Sequence, residues 1–300
     1  MTLVSIIIGT YNGSKYIEKQ LQSIVDQTYT NIEIIVVDDA SQDNTVALIE
    51  AMSKKYPIIS VNAFKENLGY IKNFERGMAL ANGNLIALSD QDDWWHETKM
   101  EKLAKKIGDY DIIYCDSAFT NENLEPTGDS FSKRKNMLSS KNPMNFLIEN
   151  CASGHAMLIK KSLFDKAIPF PKTVPHDWWL AYLATLNNGI NYFNEALVKY
   201  RHHDNNVIAE NTTKKSKIEK RTERRTRLKE FYNAALKNNH PLTNKIYEFH
   251  KNYDSHSYSI LNSLKRVWLF KQHKNDILAI LKKSSLKKNI FYLNMFFKLK

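Results

Sequence analysis

The sequence predicts an α/β fold in which helices cover both faces of a mostly parallel central sheet. Short β-branched runs alternate with segments of helical period along the first 115 residues, and this alternation is typical of successive βαβ units. The composition is ordinary for a folded chain, with 43% hydrophobic and 25% charged residues over 300 positions. It therefore excludes disorder as the main state and allows a sizeable core.

Each predicted element follows from its local pattern. The first strand is the largely apolar, β-branched run VSIIIG at 4–9, which fits a strand buried on both faces. Residues 121–143 accumulate Gly, Ser, Asn and Lys and are expected to form a loop or flap. The other predicted strands are 32–37, 58–64, 84–89, 111–115, 156–159, 190–193 and 197–200. The predicted helices end near 25, 55, 81, 107 and 186.

The chain divides by charge near residue 213. Residues 214–300 contain 22 Lys and Arg against 6 Asp and Glu, whereas residues 1–213 contain 21 against 26. We therefore predict an α/β domain over 1–212 and a basic helical region over 213–300. Such a region favours a nucleic acid or an anionic membrane as a partner, or it forms a solvated helical appendage.

Cysteine content and hydropathy indicate the compartment. Cys115 and Cys151 are too few for a disulfide framework and lack the spacing of a zinc site, so we expect reduced thiols. No apolar run approaches the roughly 18 residues of a spanning helix, and no basic segment precedes the first strand. The prediction is a cytoplasmic protein, with attachment to the inner face of the cell membrane left open.

Carboxylates follow two of the predicted strands, at the edge where parallel sheets bind ligands. Asp90, Asp92 and Asp93 come after the fourth strand, and Asp38 and Asp39 after the second. Two carboxylates about 4 Å apart repel by roughly 4 kcal/mol at an effective dielectric of 20, and a divalent cation removes that repulsion. Oxygen ligands suit Mg²⁺ or Mn²⁺. The alternative is a solvated acidic turn.

Two phosphate-binding motifs are missing from the sequence. Neither G-x-G-x-x-G after a strand nor G-x-x-x-x-G-K-[ST] occurs. Their absence argues against a dinucleotide oxidoreductase and a P-loop NTPase. Binding of a diphosphate through a bridging metal ion stays open as an alternative.

Six motifs occur in a fixed order along residues 3–208. They are TYN (Thr10–Asn12), VVDDASQDNT (Val36–Thr45), ENLGYIKNFERG (Glu66–Gly77), LSDQDDWW (Leu88–Trp95), HDWWL (His176–Leu180) and YRHHDNNV (Tyr200–Val207). In this order they resemble the family 2 glycosyltransferases of the GT-A fold. The last two resemble stretches of the bacterial rhamnosyltransferase-like members. The basic region lies outside the resemblance.

The resemblance implies a site for a nucleoside-diphosphate sugar. Within the D-x-D element, Asp90 would contact the ribose and Asp92 the metal, with His203 as a further metal or phosphate ligand. His155 is expected to be structural or to form a wall of the pocket. The implied nucleotide-sugar-binding residues are Thr10, Tyr11, Asn12, Asp39, Asn67, Gly69, Lys72, Asn73 and Asp90. Two alternatives stay open: Asn67 and Gly69 only form a turn, and Lys72 is only solvated.

The resemblance also implies the acceptor side. Asp177 matches the catalytic base, and Trp178 or Trp179 would stack on an acceptor sugar. Adjacent residues on a helix cannot share one face, so one of the two tryptophans is expected in the core. With Asp177 opposite the leaving group, the displacement is direct and inverts the anomeric configuration.

The implied activity is a metal-dependent, inverting sugar transfer to a hydroxyl of a bacterial surface glycan on a lipid carrier. The motifs favour dTDP-rhamnose as the donor, with a UDP-hexose or UDP-N-acetylhexosamine next. The other class of function is a non-catalytic protein that binds nucleic acid or an anionic surface through the basic region. That region lacks zinc-finger, RNP and basic-zipper patterns, so no nucleic-acid partner is expected.

The end of the basic region offers two further partners. Four lysines there lie close to four aromatic residues, which suggests contact with an anionic membrane. Packing against the α/β domain or against a second subunit is the alternative. The residues are Lys282, Lys283, Lys287, Lys288, Phe291, Tyr292, Phe296 and Phe297.

Overall fold

A nine-stranded sheet organises the fold in a computed structural model that describes residues 1–203, 216–254 and 259–296. The strands are β1 (Val4–Thr10), β2 (Ile32–Asp38), β3 (Ile59–Ala63), β4 (Leu85–Ser89), β5 (Trp94–Trp95), β6 (Ile112–Thr120), β7 (Pro126–Ser130), β8 (Met157–Lys160) and β9 (Ile190–Arg201). Their order across the sheet is β3-β2-β1-β4-β8-β6-β9-β5, with β7 paired to β6.

Helices cover both faces of this sheet. Those of the α/β domain are α1 (Ile17–Val25), α2 (Thr45–Lys55), α3 (Tyr70–Ala79), α4 (Lys99–Lys106), α5 (Phe131–Arg134), α6 (Lys161–Ala167) and α7 (His176–Leu186). Those of the basic region are α8 (Lys217–Lys237), α9 (Thr243–Asp254), α10 (Ile260–Gln272), α11 (Lys274–Ile277) and α12 (Ser285–Leu293). The α/β fold class and the helical basic region are thus confirmed.

Continuous apolar strands explain why the first half of the sheet was predictable. Successive side chains of β1 enter two separate cores, Ile7 on one face and Ile6 and Ile8 on the other, so most of its positions are apolar. The pairs β1–β2, β1–β4 and β2–β3 are all parallel, as predicted. Beyond β4 the sheet is mixed, because β8 runs antiparallel to both β4 and β6.

Two expectations for the second half of the domain are corrected. The strands predicted at 190–193 and 197–200 form one strand, β9, in which a register shift against β6 accommodates the polar pair Asn194 and Glu195. The predicted loop at 121–143 contains the short elements β7 and α5, and a 3-10 helix begins at its last residue, Pro143.

The basic helices pack against the α/β domain. Phe231 of α8 is fully buried, its ring stacks 3.9 Å from that of Tyr182 on α7, and its carbonyl accepts a 2.9 Å hydrogen bond from the Tyr182 hydroxyl. The backbone N–H of Asn136 donates to the carbonyl of Ile280. Packing on the domain, one of the open alternatives, is therefore observed. The predicted boundary between residues 212 and 213 lies outside the described residues.

Within the described ranges, no helix is both long enough and apolar enough to cross a membrane.

Candidate active site

The predicted site residues come together at one edge of the sheet. β1, β2 and β4 are parallel, so the residues that follow them lie side by side at their carboxyl ends. The segment before β8 reaches the same edge because β8 is antiparallel to β4. β9 ends there as well, since it is parallel to β6.

Hydrogen bonds tie the loop after β1 to the loop after β2. The Thr10 hydroxyl donates to Asp38 Oδ2 at 2.7 Å, and the Ser41 backbone N–H donates to Asp38 Oδ1 at 2.8 Å. The Asn12 N–H donates to Ser41 Oγ, and Asn12 Oδ1 accepts from the N–H of Gln42, both at 2.8 Å. The Thr10 hydroxyl and the Asn12 side-chain oxygen are therefore already engaged in hydrogen bonds within the protein.

Gln91 joins the loop after β1 to the acidic loop after β4. Its amide accepts from the Tyr11 N–H at 2.9 Å and donates to the Tyr11 carbonyl at 3.1 Å. A Cβ on Gly13 would lie 2.2 Å from Gln91 Oε1, so a side chain there would displace the Gln91 amide from Tyr11. The Tyr11 side chain stays half-exposed. Sequence reasoning assigned no role to Gln91, the middle residue of the D-x-D element.

Asp39 holds the entry to α3. Its two carboxylate oxygens accept from the N–H groups of Leu68 and Gly69, both at 2.9 Å, and Oδ1 also accepts from Arg76 Nη2 at 2.7 Å. Gly69 has φ 78 and nothing surrounds its Cβ position, so the backbone conformation is what requires glycine. The carboxylate thus fixes the loop that leads into α3.

The other residues predicted to bind the nucleotide sugar form hydrogen bonds or ion pairs within the protein. Asn73 is buried, its amide N–H donates to the Val37 carbonyl at 2.8 Å, and its oxygen accepts from Arg76 Nε at 2.9 Å. Lys72 forms an ion pair with Glu75 at 2.7 Å. Asn67 Oδ1 accepts a hydrogen bond from the Gly69 N–H at 3.0 Å. This bond stabilises a turn, which was the alternative role for these two residues.

Three side chains that could ligate a metal ion form a compact cluster near the end of β4. His155 Nδ1 lies 3.4 Å from Asp90 Oδ2 and 3.6 Å from Asp93 Oδ2. The other ring nitrogen, Nε2, lies 2.9 Å from Ser117 Oγ. Ligand atoms of Asp90, Asp93 and His155 all lie within 4.8 Å of one another. His155 was expected to be structural or a wall of the pocket, and it lies in this cluster.

Burial and neighbouring charges set the protonation of this cluster. Burial raises the pKa of Asp93 to about 8, and the charges of Asp92 and Asp90 add to that effect. Burial lowers the pKa of Lys99 to about 7, although nearby Asp93 opposes the shift. Burial disfavours the charged ring of His155, but the two carboxylates outweigh it and raise the pKa. Asp93 and His155 are buried, whereas Asp90 is partly exposed at the edge of the cluster.

The residues of this cluster fit a divalent cation. Asp93 Oδ2 is buried and has no hydrogen-bond partner within the described parts of the chain. An unpartnered buried carboxylate oxygen is costly unless an ion or a proton neutralises it. The two carboxylates supply oxygen ligands of the kind that suit Mg²⁺ or Mn²⁺, and His155 adds one imidazole nitrogen.

Asp92 and His203 contact each other beside that cluster. His203 Nε2 lies 2.7 Å from Asp92 Oδ2, and the His203 ring packs against Tyr16 at 4.9 Å. Arg201, at the end of β9, is buried and donates to the Asp92 carbonyl at 2.7 Å and to that of Glu122. Arg201 therefore fixes the acidic loop against β9, a role the sequence did not reveal.

Asp177 lies in the first turn of α7, beside the cluster. A Cβ on Gly154 would lie 3.6 Å from the Asp177 Cβ and 2.8 Å from His176 Nε2, so the turn that carries His155 touches the start of α7. The Asp177 carboxylate accepts from the Trp178 N–H at 2.7 Å. Burial raises its pKa, and the His176 charge opposes that shift. A raised pKa makes the carboxylate a stronger base.

The two tryptophans after Asp177 face the basic helices. Trp179 is buried, its indole N–H donates to the Ala167 carbonyl at 2.9 Å, and its ring stacks on Phe231. Trp178 is partly buried, its N–H donates to the Phe146 carbonyl at 2.6 Å, and the Arg227 guanidinium covers its ring at 3.9 Å. Trp179 is thus the core tryptophan of the pair.

Comparison with known proteins places the chain in a family. The model for Glycosyl transferase family 2 matches residues 5–167. A dTDP-rhamnosyl transferase, RfbG, of Shigella flexneri is 32% identical over 236 residues, which cover 71% of this chain and 77% of that protein. An uncharacterized glycosyltransferase of Haemophilus influenzae is 31% identical over 220 residues, 68% of this chain but only 66% of that protein's length. The chain belongs to glycosyl transferase family 2, and the predicted enzyme class is confirmed.

Solved structures with the same fold support the GT-A prediction. S. aureus TarS 1-349 in complex with UDP-GlcNAc has a TM-score of 0.65 and 18% identity, covering 99% of this chain and 90% of that one. The mannosyltransferase PcManGT from Pyrobaculum calidifontis, in complex with GDP-Man and Mn²⁺, has a TM-score of 0.56 and 15% identity, covering 99% and 84%. At these identities the likeness concerns the fold.

Proposed function

We propose that this glycosyltransferase moves a sugar from a nucleoside-diphosphate sugar to a hydroxyl of a bacterial surface glycan, with inversion at the anomeric carbon. The observation that carries the proposal is the contact between the Gly154–His155 turn and the start of α7. It brings a carboxylate of raised pKa, Asp177, next to the acidic cluster. A base for the acceptor and side chains that would hold a cation for the donor's diphosphate then share one edge of the sheet.

The proposed reaction is a direct displacement. Asp177 takes the proton of the acceptor hydroxyl, a contribution of roughly 10²–10⁴-fold in rate. The acceptor oxygen forms a bond to the anomeric carbon as the bond to the diphosphate oxygen breaks, and the electron pair leaves with the nucleoside diphosphate. Asp92 and His203, with Asp90, Asp93 and His155 beside them, would hold Mg²⁺ or Mn²⁺. A bound cation neutralises charge on the leaving diphosphate.

The donor pocket is proposed to lie between the loops after β1 and β2. Thr10, Tyr11 and Asn12 line its wall. Asp39 holds the base or ribose side of the pocket by fixing the loop that leads into α3. Asn67, Gly69, Lys72 and Asn73 shape the floor beneath the diphosphate. Because most of these side chains are bonded within the protein, we expect them to act mainly by shape.

Donor and acceptor are proposed from two similarities. The relative from Shigella flexneri is named a dTDP-rhamnosyl transferase, which favours dTDP-rhamnose, and the TarS structure contains UDP-GlcNAc, which makes a UDP-N-acetylhexosamine or UDP-hexose next. The acceptor is a glycan or a lipid-linked glycan. Trp178 is the tryptophan proposed to meet it, since Trp179 is buried. The cytoplasmic location and a homo-oligomer through the basic helices stay predictions.

The test is the substitution Asp177→Asn. Binding of dTDP and UDP with Mn²⁺ is measured by calorimetry, and transfer by release of nucleoside diphosphate in the presence of a cell-envelope fraction. We expect Asp177→Asn to retain nucleotide binding and to lose transfer by at least about 10²-fold. Asp165→Asn, an exposed position on α6, serves as the matched control. Unchanged transfer in Asp177→Asn would remove the residue from this role, and absence of any nucleotide binding would favour the non-catalytic alternative.

A further inference from the structure

An exposed apolar stripe runs along α10. It consists of Ile260, Leu261, Leu264 and Trp268, which are 48 to 77% exposed. Their spacing places them on one side of the helix. The opposite side carries the buried residues of α10, among them Leu269 and Phe270. The helix therefore has apolar residues on two sides, one packed against the protein and one exposed to solvent.

A matching stripe runs along α12, the neighbouring helix. Leu286, Ile290 and Leu293 are 49 to 70% exposed and follow the helical repeat. The two helices meet through Phe270 and Phe291, whose ring centroids lie 6.5 Å apart. We refer to the seven exposed apolar residues on these two adjoining helices as the apolar face.

This face corrects the sequence-based view of the end of the chain. Phe291 and Tyr292, for which membrane contact and packing were both left open, are partly buried and pack against the protein core. Three aliphatic residues of α12 occupy the exposed positions instead. Phe297, another of the predicted aromatics, lies outside the described residues.

Positive charge surrounds the apolar face. Residues 259–296 contain eight Lys and Arg and a single acidic residue, Asp276. Asp276 accepts a 3.0 Å hydrogen bond from Asn142 Nδ2 of the α/β domain. Lys265, Lys271 and Lys287 are exposed on the helices that carry the stripes. This pattern matches the chemistry of an anionic lipid surface.

We propose that α10 and α12 bind the surface of an anionic bilayer through the apolar face, with the neighbouring lysines on the headgroups. A second copy of the chain fits the same face less well, because a symmetric contact would bring these lysines against their own counterparts. The helices lie in the interfacial plane and do not cross the bilayer. This inference goes beyond the proposed function, since the surface is separate from the candidate active site.

The test is co-sedimentation of the full chain with vesicles of phosphatidylglycerol and phosphatidylcholine, compared with phosphatidylcholine alone. We expect binding to the anionic vesicles at about 0.1 M salt and release at about 1 M, where charges are screened over a few ångströms. The double variant Leu261→Glu with Trp268→Glu is expected to bind at least about tenfold more weakly. Leu261 and Trp268 are both exposed, so the double variant should still fold.

A matched control separates the apolar face from total charge. Ile218 and Leu236 are exposed on α8, a helix that carries neither stripe. The double variant Ile218→Glu with Leu236→Glu has the same change of charge and is expected to bind like the unsubstituted chain. Equal loss in both variants, no binding at low salt, or equal binding to neutral vesicles would overturn the proposal. So would a dimer, seen by sedimentation velocity, that only Leu261→Glu with Trp268→Glu dissociates.

Discussion

His203 and Asp92 lie 111 residues apart in sequence, yet His203 Nε2 is 2.7 Å from Asp92 Oδ2. The contact joins the end of β9 to the acidic loop after β4. Arg201 strengthens this junction through its bond to the Asp92 carbonyl. The D-x-D element is thus held from both sides, by Gln91 toward β1 and by Arg201 and His203 toward β9.

The first prediction concerns this junction and the cation. His203→Ala should weaken metal-dependent nucleotide binding by about tenfold or more, because it removes a donor group or the side chain that orients Asp92. The thermal shift caused by UDP or dTDP with Mn²⁺ measures this loss, and removal of the cation with EDTA should abolish the difference between the variant and the unsubstituted chain.

The adjacent histidine is the control for that substitution. His202 packs against Phe119 and Tyr200 on the other side of the strand end. His202→Ala should leave the Mn²⁺-dependent shift intact. An equal loss in both variants would mean that the strand end as a whole, and not the His203 imidazole, supports nucleotide binding.

The second prediction concerns pH and Asp177. Burial raises the pKa of this carboxyl, so the acid limb of the pH–rate profile for transfer should lie above the ordinary carboxyl value of about 3.9. The folded state binds its proton more tightly than the unfolded state. The stabilisation from protonation is therefore complete below about 3.9 and is lost as the pH rises through the raised pKa.

Asp177→Asn tests the same pKa through stability. The substitution removes a partly desolvated charge, so the melting temperature of the variant should exceed that of the unsubstituted chain at neutral pH. The gain should shrink as the pH falls toward 4. A gain that does not depend on pH would show that the carboxyl pKa is ordinary.

The sequence predicted the elements whose signal is local. β1, β2 and β4 are almost entirely buried and consist mainly of apolar residues. β9 was divided in the prediction because Asn194 and Glu195 interrupt its apolar pattern at the register shift. The pairing with β6 continues past that interruption, and only the three-dimensional sheet shows it.

Candidate site residues could be proposed from the sequence where they lie in short motifs. Asp90, Asp92 and Asp177 were identified from short motifs, and the structure brings their segments to one edge. His155 was not assigned to the cluster, because its proximity to Asp93 depends on the antiparallel pairing of β8 with β4. The burial of Trp179 likewise depends on Phe231, which is 52 residues later in the chain.

The third prediction compares two arginine–aspartate pairs. Arg76 binds Asp39 at 2.7 Å, and Asp39 is buried, so Arg76→Met should lower the free energy of unfolding by about 3 kcal/mol. Arg134 binds Asp129 at the same distance, but the pair is exposed. Arg134→Met should change it by about 0–1 kcal/mol. Urea denaturation of both variants measures the difference, and equal effects would mean that the Asp39 pair is effectively solvated.

The last prediction concerns the support that α8 gives to α7. Phe231 is fully buried against Tyr182 and Trp179, two residues of the helix that begins with Asp177. Phe231→Ala should lower the free energy of unfolding by about 3–5 kcal/mol, because it removes a buried ring and leaves a cavity. Phe231→Leu keeps most of the volume and should cost less than the alanine variant.

Activity measurements on these two variants separate packing from catalysis. If α8 positions the base, Phe231→Leu should lower the rate of transfer while nucleotide binding is retained, since the donor pocket lies on other loops. Tyr247→Ala, at a half-exposed position on α9, is the control and should leave both quantities near their original values. A Phe231→Leu variant with full transfer would show that α8 supplies stability to α7 without setting the position of Asp177.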